Sequence, residues 1–129
     1  CHTARGLLNR QKLANSSPEE FLKYLFRQNK YFAKKRKIKH TLRFDELIEI
    51  YEKQKGYCAL TNEKMTFKLS TGKIGTNASI DRINSKKIYK KSNVRFVTDL
   101  NNRALHTFND NEVKFYCKKI LKNFYKISL

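Results

Sequence analysis

One carboxylate stands out in the stretch SIDRINSKKIYKKSNVRFV, residues 79–97, which is otherwise crowded with lysine and arginine. Asp81 is the only acidic residue between positions 64 and 98. Two roles are open to it. It can pair with Arg82 or Arg95 at the end of a strand, which is how most such acids behave. It can also ligate a hard cation such as Mg²⁺, with phosphate and water completing the octahedron.

Two asparagines follow Asp81 at spacings that bear on this choice. Asn93 comes twelve residues after Asp81, and Asn102 comes nine residues after Asn93, in a predicted short helix behind a strand. A hairpin followed by a helix can fold back so that the strand carboxylate and the helix amide face the same point. Asn93 alone also fits a turn residue that bonds its own backbone.

The composition indicates a polyanionic partner. The 129 residues suit one domain, and they carry 29 Lys and Arg against 11 Asp and Glu, a formal charge of +18. Such a charge repels itself unless a polyanion is near, and nucleic acid is the first to consider. No window approaches 18 apolar residues, and the opening CHTARGLLNR lacks the apolar core of a signal peptide. We therefore expect no membrane partner and an intracellular protein that works with DNA.

The three cysteines do not form a disulfide framework. Cys1, Cys58 and Cys117 contain no CxxC spacing and cannot all pair, which favours a reducing compartment. Cys58 and Cys117 are expected to be free core thiols. Because the chain starts with Cys rather than Met, a segment upstream of it is expected, and half of a metal-binding knuckle is one form it could take.

The first predicted helix carries a basic stripe. SPEE, residues 17–20, combines an N-cap, a first-turn proline and a capping-box glutamate, and predicts a helix from Pro18 to about Lys35. A solvated face would explain such a stripe in an average protein, but residues 21–44 contain no acid, which favours phosphate contact. The predicted nucleic-acid surface comprises Lys23, Arg27, Lys30 and Lys34 at steps of four, three and four, then Lys35, Arg36 and Lys37, and Arg95 on a later strand.

Periodicity places the remaining elements. The apolar residues of FDELIEIY, residues 44–51, repeat at helical spacing, and Gly56 is expected to end that helix. Short runs follow (YCAL, MTF, SIDRI and VRFV), separated by polar turns, and predict small strands. A short helix is predicted over 98–105, and a last one from about Asn111, capped by Asn109 or Asp110. Its apolar stripe is predicted to be core and leaves no face for a dimer: Val113, Tyr116, Cys117, Ile120, Leu121 and Phe124.

Over about residues 41–120 the chain resembles the HNH, or ββα-metal, nuclease family. GYCALTNEKMTF is similar to the family's opening strand region, SIDRI to its Asp-His strand, IYKKSNVRFV to its turn with the middle asparagine, and DLNNRAL to its metal-binding helix. The resemblance implies an α+β fold, a β-hairpin plus helix flanked by N- and C-terminal helices. Residues 1–40 would be a basic helical DNA-binding extension and 41–129 the nuclease module, packed as one compact domain.

The resemblance also implies a metal site. Asp81 and Asn102 would bind Mg²⁺ or Mn²⁺, with Asn101 the adjacent alternative, and Asn93 would brace the loop between the strands. Many relatives carry two CxxC pairs for a structural zinc, but this chain has only Cys58 there, so no zinc is expected within the module. The substrate would be DNA, double-stranded by expectation, and no small-molecule substrate is implied.

Arg82 departs from the family pattern, because it stands where the family has the histidine that takes a proton from the attacking water. Arginine cannot be that base, but it can clamp a phosphate oxygen and neutralise charge in the transition state. Tyr57 is the first candidate for the base and His106 the second. A packed aromatic and a phosphate contact are the respective alternatives, and His40 is a further DNA contact at most.

Three functions remain after this reading of the sequence. The first is a divalent-metal-dependent DNA endonuclease that uses one metal ion. The second is a nucleic-acid-binding module whose nuclease site has decayed, because loss of the histidine is also what decay would produce. The third is an RNA-binding basic domain, although no base-stacking motif is visible.

Overall fold

Five helices and one antiparallel hairpin build this small α+β protein. The computed structural model describes residues 4–126 and Ser128. In chain order the elements are α1 (Ala4–Ala14), α2 (Pro18–Lys35), α3 (Phe44–Gln54), β1 (Ala78–Arg82), β2 (Val94–Thr98), α4 (Asp99–Leu105) and α5 (Asp110–Tyr125), with a single 3₁₀ turn at Lys91–Asn93 before β2.

Side-chain caps set the helix starts that the sequence predicted. Ser17 accepts a hydrogen bond from the backbone N–H of Glu20 at 3.2 Å, so α2 begins at Pro18 and ends at Lys35, which confirms the predicted range. Asn109 caps α5 in the same way. The predicted end of α3 is nearly correct. The helix stops at Gln54 because Lys55 adopts a left-handed φ of 56°, and Gly56 follows with φ 82°.

The hairpin pairs the two predicted central strands. In its register Ile80 lies opposite Phe96, and Asp81 lies opposite Arg95. The prediction of strands at YCAL and MTF is wrong. Among the described residues these runs form only isolated bridges, one of which joins Tyr57 to Lys64. The intervening segment is a tight turn, closed by backbone hydrogen bonds across residues 58–63, and too short for a ladder.

The core lies between α2, α3 and the hairpin. Leu22 of α2, Leu47 of α3, and Phe96 and Val97 of β2 are almost fully buried in one apolar cluster. Cys58 belongs to the same cluster, as predicted. Because the basic helix α2 contributes to this core, its orientation relative to the hairpin is fixed by packing.

The last helix departs from its prediction. Its apolar stripe was expected to be core, yet none of the described residues of α5 is buried, and Tyr116 and Phe124 are 65% and 75% exposed. Cys117 is likewise exposed. The three-and-four spacing indicates an amphipathic helix, but it does not indicate which surface packs against the apolar face. The core is already covered by α2 and α3. An apolar face is therefore left over, contrary to expectation.

None of the helices described here is both long enough and apolar enough to cross a lipid bilayer.

An amide side chain satisfies the outer edge of β2. Gln54, at the end of α3, donates from Nε2 to the carbonyl oxygens of Phe96 (2.9 Å) and Tyr57 (2.8 Å), and its Oε1 accepts from the backbone N–H of Phe96 at 2.8 Å. The side chain thus replaces the neighbouring strand that β2 lacks on this side. It also ties α3 to the hairpin that carries Asp81.

Replacing Gln54 by Ala should lower the free energy of unfolding by about 2 to 3 kcal/mol, because the backbone N–H of Phe96 and the carbonyl of Tyr57 lose this partner. The Phe96 carbonyl keeps its bond from the backbone N–H of Ala59. Urea denaturation followed by circular dichroism measures the change. Glu52→Ala, on the exposed side of the same helix, is the matched control and should stay within about 0.5 kcal/mol of the parent. Equal losses in the two variants would show that the Gln54 contacts are not stabilising.

Candidate active site

A cleft of about 410 Å³ opens between β1, the turn that follows it, and the connection from α4 to α5. It brings together four of the residues singled out from the sequence: Asp81, Arg82, Arg95 and His106. The hairpin supplies the first three, and the end of α4 supplies His106. Tyr57 is not among the described residues that line this cleft.

Arg95 is held between two carboxylates at the base of the cleft. Its Nε donates to Oδ2 of Asp81 at 2.9 Å, and its two terminal nitrogens donate to the two oxygens of Asp110 at 2.8 Å each. The side chains of Arg95 and Asp81 are only 13% and 12% exposed. Of the two roles open to Asp81, pairing with a cross-strand arginine is therefore observed, and the partner is Arg95.

Burial and charge act in opposite directions on these acids. Burial raises the pKa of the Asp81 carboxyl above its usual value, against the hydrogen bond from Arg95, which lowers it. The charge of Asp110 raises the pKa of Asp81 further. Asp110 itself is held below its usual pKa by its hydrogen bonds from Arg95. The guanidinium thus opposes the protonation of both carboxyls in a partly buried site.

Because its donors point at these acids, Arg95 is not presented to solvent as a free cation. Its predicted contact with nucleic acid stays a prediction, and the geometry gives it a structural role first. The ion pair with Asp110 also anchors the first turn of α5 to β2.

Arg82 faces away from this ion pair. Its Nη1 donates to the backbone carbonyl of Lys87 at 2.9 Å, and its guanidinium carbon lies 5.1 Å from the centre of the Tyr89 ring. The Tyr89 ring in turn packs against His40, at 5.3 Å between centroids. Arg82 is therefore placed by a backbone bond and a cation–π contact rather than by Asp81.

The amide of Asn93 ties down the loop between the two strands. Asn93 is buried, its Oδ1 accepts from the backbone N–H of Asn84 at 2.9 Å, and its Nδ2 donates to the carbonyls of Asn84 and Ile88 at 3.0 Å each. These are the contacts of a loop-bracing residue, which is the role that the family resemblance implies. Asn93 acts through the loop, since it is not among the described residues that line the cleft.

The structure separates the two adjacent asparagines of α4. Asn102 faces β1, and its Nδ2 donates to the hydroxyl of Ser79 at 2.6 Å and the carbonyl of Ile80 at 3.4 Å. Asn101 faces the other way, toward the sulfur of Cys58 and a carboxylate oxygen of Glu63. Asn102 is thus the one directed at the strand that carries Asp81.

The two candidates for the general base lie in different places. Tyr57 is 42% exposed and sits beyond the outer edge of β2, where its backbone carbonyl accepts from Gln54. His106 was expected one turn along the helix from Asn102. It instead caps α4, with φ 47° and its backbone N–H bonded to the carbonyl of Asn102 at 3.2 Å. His106 alone of the two lines the cleft.

The basic stripe of α2 lies at the surface, with some of its charges engaged. Lys23 pairs with Glu20 at 3.1 Å, and Lys30 lies 5.5 Å from the centre of the Phe26 ring. The other basic residues predicted to contact nucleic acid, on α2 and directly after it, are exposed: Arg27, Lys34, Lys35, Arg36 and Lys37.

His40, next to this surface, is part of the packing. The ring is half-buried, its Nε2 lies 2.7 Å from Oδ1 of Asn29, and it contacts the rings of Phe26 and Tyr89. Burial and the charge of Lys30 lower its pKa. A lowered pKa disfavours the charged form of the imidazole, so His40 is better suited to packing than to a contact with phosphate.

Hard oxygen donors are the ligands available for a metal ion. The described residues contain no group of three or more His, Cys, Asp or Glu that could hold one. Mg²⁺ needs fewer protein ligands than that, because one or two carboxylates together with water and phosphate complete its coordination shell. Arg95 bonds only Oδ2 of Asp81, and the bonds of Asn102 to β1 use its amide nitrogen. The second carboxylate oxygen of Asp81 and the amide oxygen of Asn102 are therefore the atoms that these bonds leave to a metal ion, although Asn102 is not among the described residues that line the cleft.

No family model, no curated protein and no solved structure matches this chain. The function must therefore be inferred from the site itself.

Two residues of the site were missed in the sequence. Asp110 was considered only as a possible helix cap, and Tyr89 was not considered at all. Asp110 could have been found because an acid in the first turn of a helix is a ready partner for a buried arginine. Nothing local in the sequence distinguishes Tyr89, because its role depends on the loop conformation.

Replacing Arg95 by Met should lower the free energy of unfolding at pH 7 by about 2 to 4 kcal/mol, because Asp81 and Asp110 would be left facing each other without a cation. In the variant both carboxyl pKa values rise above those of the unfolded chain. The destabilisation is therefore fully present at neutral pH and shrinks as the pH falls toward 4. Urea denaturation at several pH values measures it.

Arg43→Met is the matched control, because Arg43 pairs with Asp45 at 3.1 Å and both side chains are exposed. It should cost less than about 1 kcal/mol. A loss for Arg95→Met that equals the control, or that does not change with pH, would contradict the proposed coupling.

Proposed function

We propose that this chain is a divalent-metal-dependent DNA endonuclease with an HNH-type site. The observation that carries the proposal is the placement of Asn102: the helix that follows the hairpin directs this amide at Ser79 and Ile80 of β1, the strand that also carries Asp81. The bracing of the loop by Asn93 supports the same reading. A carboxylate on a strand and an amide on the following helix are the two ligands that the sequence resemblance implies.

The proposed roles follow from the positions of the side chains. Asp81 and Asn102 would hold Mg²⁺ or Mn²⁺ through oxygen atoms. When bound, such an ion supplies positive charge at the scissile phosphate and at the leaving oxygen. Arg82, on the wall of the cleft, would hold a non-bridging phosphate oxygen. To do so its guanidinium need only leave the Lys87 carbonyl, because its contact with Tyr89 does not use its donors.

The water that attacks phosphorus needs a proton acceptor, and the geometry favours His106. An imidazole nitrogen can accept a proton, and His106 lines the cleft, whereas Tyr57 is not among the described residues that do. The water oxygen would bond to phosphorus, the bond from phosphorus to the leaving oxygen would break, and the water proton would pass to the imidazole. The left-handed φ of His106 is of the kind often found at functional positions.

The charge of the chain supports DNA as the substrate. The formal charge is +18, and the exposed basic residues of α2 and of the segment after it offer contacts to phosphates. None of these contacts reads a base, so sequence-independent binding is the expectation. Double-stranded DNA is proposed because the exposed cations lie along one helix and the segment after it, and contacts of this kind to backbone phosphates need no unpaired base.

One observation favours the second candidate, a module that binds nucleic acid without cutting it. The carboxylate of Asp81 is already engaged by Arg95, so a metal ion would have to compete with that guanidinium. If that ion pair persists on DNA, the chain would bind and not cleave. Incubation of plasmid with the purified protein, with Mg²⁺ or Mn²⁺ and with EDTA, distinguishes the two functions.

Asp81→Asn and Asn102→Ala should each abolish metal-dependent cleavage and leave DNA binding within a few-fold of the parent, because binding comes from the basic surface. Plasmid nicking measures cleavage, and fluorescence anisotropy with labelled duplex measures binding. Asn101→Ala is the matched control, since Asn101 faces Cys58 and Glu63, and it should keep its activity. Full activity in Asn102→Ala, or loss only in Asn101→Ala, would move the site elsewhere.

His106→Asn should reduce kcat by about 10² to 10⁴, because it removes the proton acceptor. It should also abolish the fall in kcat on acidification that a histidine base produces. Tyr57→Phe should leave kcat within a few-fold of the parent. The reverse pattern, a large loss in Tyr57→Phe alone, would assign the base to Tyr57. Both variants are assayed on plasmid across pH 5 to 9.

A further inference from the structure

The exposed face of α5 is an interaction surface that the proposed nuclease activity does not use. At about 100° per residue, its six apolar side chains fall within an arc of about 140°. They are Val113, Tyr116, Cys117, Ile120, Leu121 and Phe124. The described lysines of α5 lie outside this arc. Asp110, in the first turn of the helix, falls within it and is paired with Arg95. An apolar face this regular on a helix without a buried residue indicates a protein partner.

We propose that the partner is a second copy of this chain, and that two α5 helices pair antiparallel about a two-fold axis. A two-fold interface requires that residue i meets residue j and that j meets i. The six apolar positions are arranged symmetrically along the helix around the point midway between residues 118 and 119. They therefore meet this condition when that point lies on the two-fold axis. Val113 then lies level with Phe124, Tyr116 with Leu121, and Cys117 with Ile120.

The charges around the arc agree with the antiparallel register. Lys114, at the edge of the arc, is level with Asn123 of the second copy rather than with another lysine. Lys118 and Lys122 lie on the opposite side of the helix and point away from the partner. Asp110 and Glu112 of the two copies are placed at opposite ends of the interface. In a parallel pair these acids would meet their own copies.

The available area predicts a weak dimer. Large apolar side chains bury about 150 to 250 Å² each when covered, and these are exposed by 38% at Leu121 to 75% at Phe124. The face therefore supplies on the order of 500 Å² per copy, below the roughly 800 Å² of a standard stable interface. A dissociation constant in the micromolar range is expected, weakened at low salt by the charge of the two chains.

A lipid surface is the other occupant that such a helix could fit, since lysines flank its polar side. The first turn argues against it. Asp110 is tied to Arg95 and Glu112 lines the cleft, so the helix start is acidic and attached to the body of the protein. An anionic membrane would repel this end, whereas a second copy meets it with the apolar end of α5.

Dimerisation has a consequence for the cleft. Because Asn109, Asn111 and Glu112 form part of its wall, pairing through α5 would hold two clefts at a fixed separation. Two sites at a fixed distance suit an enzyme that acts on both strands of a duplex. The dimer itself does not depend on the nuclease proposal, because it rests only on the surface of α5.

Sedimentation equilibrium of the full chain, at about 0.3 M salt without DNA or metal, tests the proposal. Between about 1 and 200 µM the mass should rise from 15.4 kDa toward twice that value. Ile120→Lys should raise the dissociation constant at least about 30-fold. Phe115→Lys is the matched control on the opposite side of α5, and should leave the constant within about threefold. A monomer throughout, or equal effects of the two variants, would overturn the proposal.

A cross-linking experiment tests the register. In a Cys1→Ser background, Ile120→Cys should give a covalent dimer on treatment with diamide, because position 120 lies level with Cys117 of the second copy. Phe115→Cys should give no more dimer than the background. Sedimentation with vesicles of anionic phospholipid, run on parent and Ile120→Lys, addresses the lipid alternative. Vesicle binding that is lost in Ile120→Lys, with no dimer in solution, would replace the second copy by a membrane.

Discussion

The guanidinium of Arg95, held between Asp81 and Asp110, is the interaction on which the rest of the site depends. Through Asp81 it sets the charge at the base of the cleft, and through Asp110 it fixes the start of α5. An ion pair of this kind adds little net stability, because two or three charges lose water when it forms. Its value lies in specificity, since a carboxylate left alone at this depth would be protonated or would pull the hairpin out of register. One contact therefore joins the hairpin that carries Asp81 to the helix that carries the exposed apolar face.

Amide side chains do the remaining positioning. Gln54 satisfies the outer edge of β2, Asn93 braces the loop behind the hairpin, and Asn102 joins α4 to β1. An amide suits each place, because it donates and accepts at once and carries no charge into a partly buried site. Each of these contacts is made with backbone or with a hydroxyl, so it survives changes in the neighbouring side chains. Together they hold the elements around Asp81 without adding a second acid to the hairpin.

Local signals in the sequence predicted α2, the two strands of the hairpin and the start of α5, because caps and alternating apolar residues act over a few positions. Contacts between distant segments were not predictable in the same way. Asp81 had two possible partners until the register placed it opposite Arg95, and the loop of the hairpin gives no local signal of that register. The same limit explains α5. Helical periodicity showed that one face is apolar, but the partner of that face depends on how much core the other helices have already filled.

The charge balance of the cleft explains why this basic hairpin keeps one acid. Without Asp81, the guanidinium of Arg95 would keep Asp110 as a partner, but the cleft, with Arg82 and Lys86 on its wall, would be more strongly positive. With Asp81 present, the cations Arg82, Lys86 and Arg95 are balanced by the carboxylates of Asp81, Asp110 and Glu112. A cation that arrives with the substrate competes with Arg95 for Asp81, and burial makes that carboxylate respond strongly to whichever positive charge is nearest. Asp81 is thus placed to exchange a structural partner for a catalytic one, and the proposed enzyme would depend on that exchange.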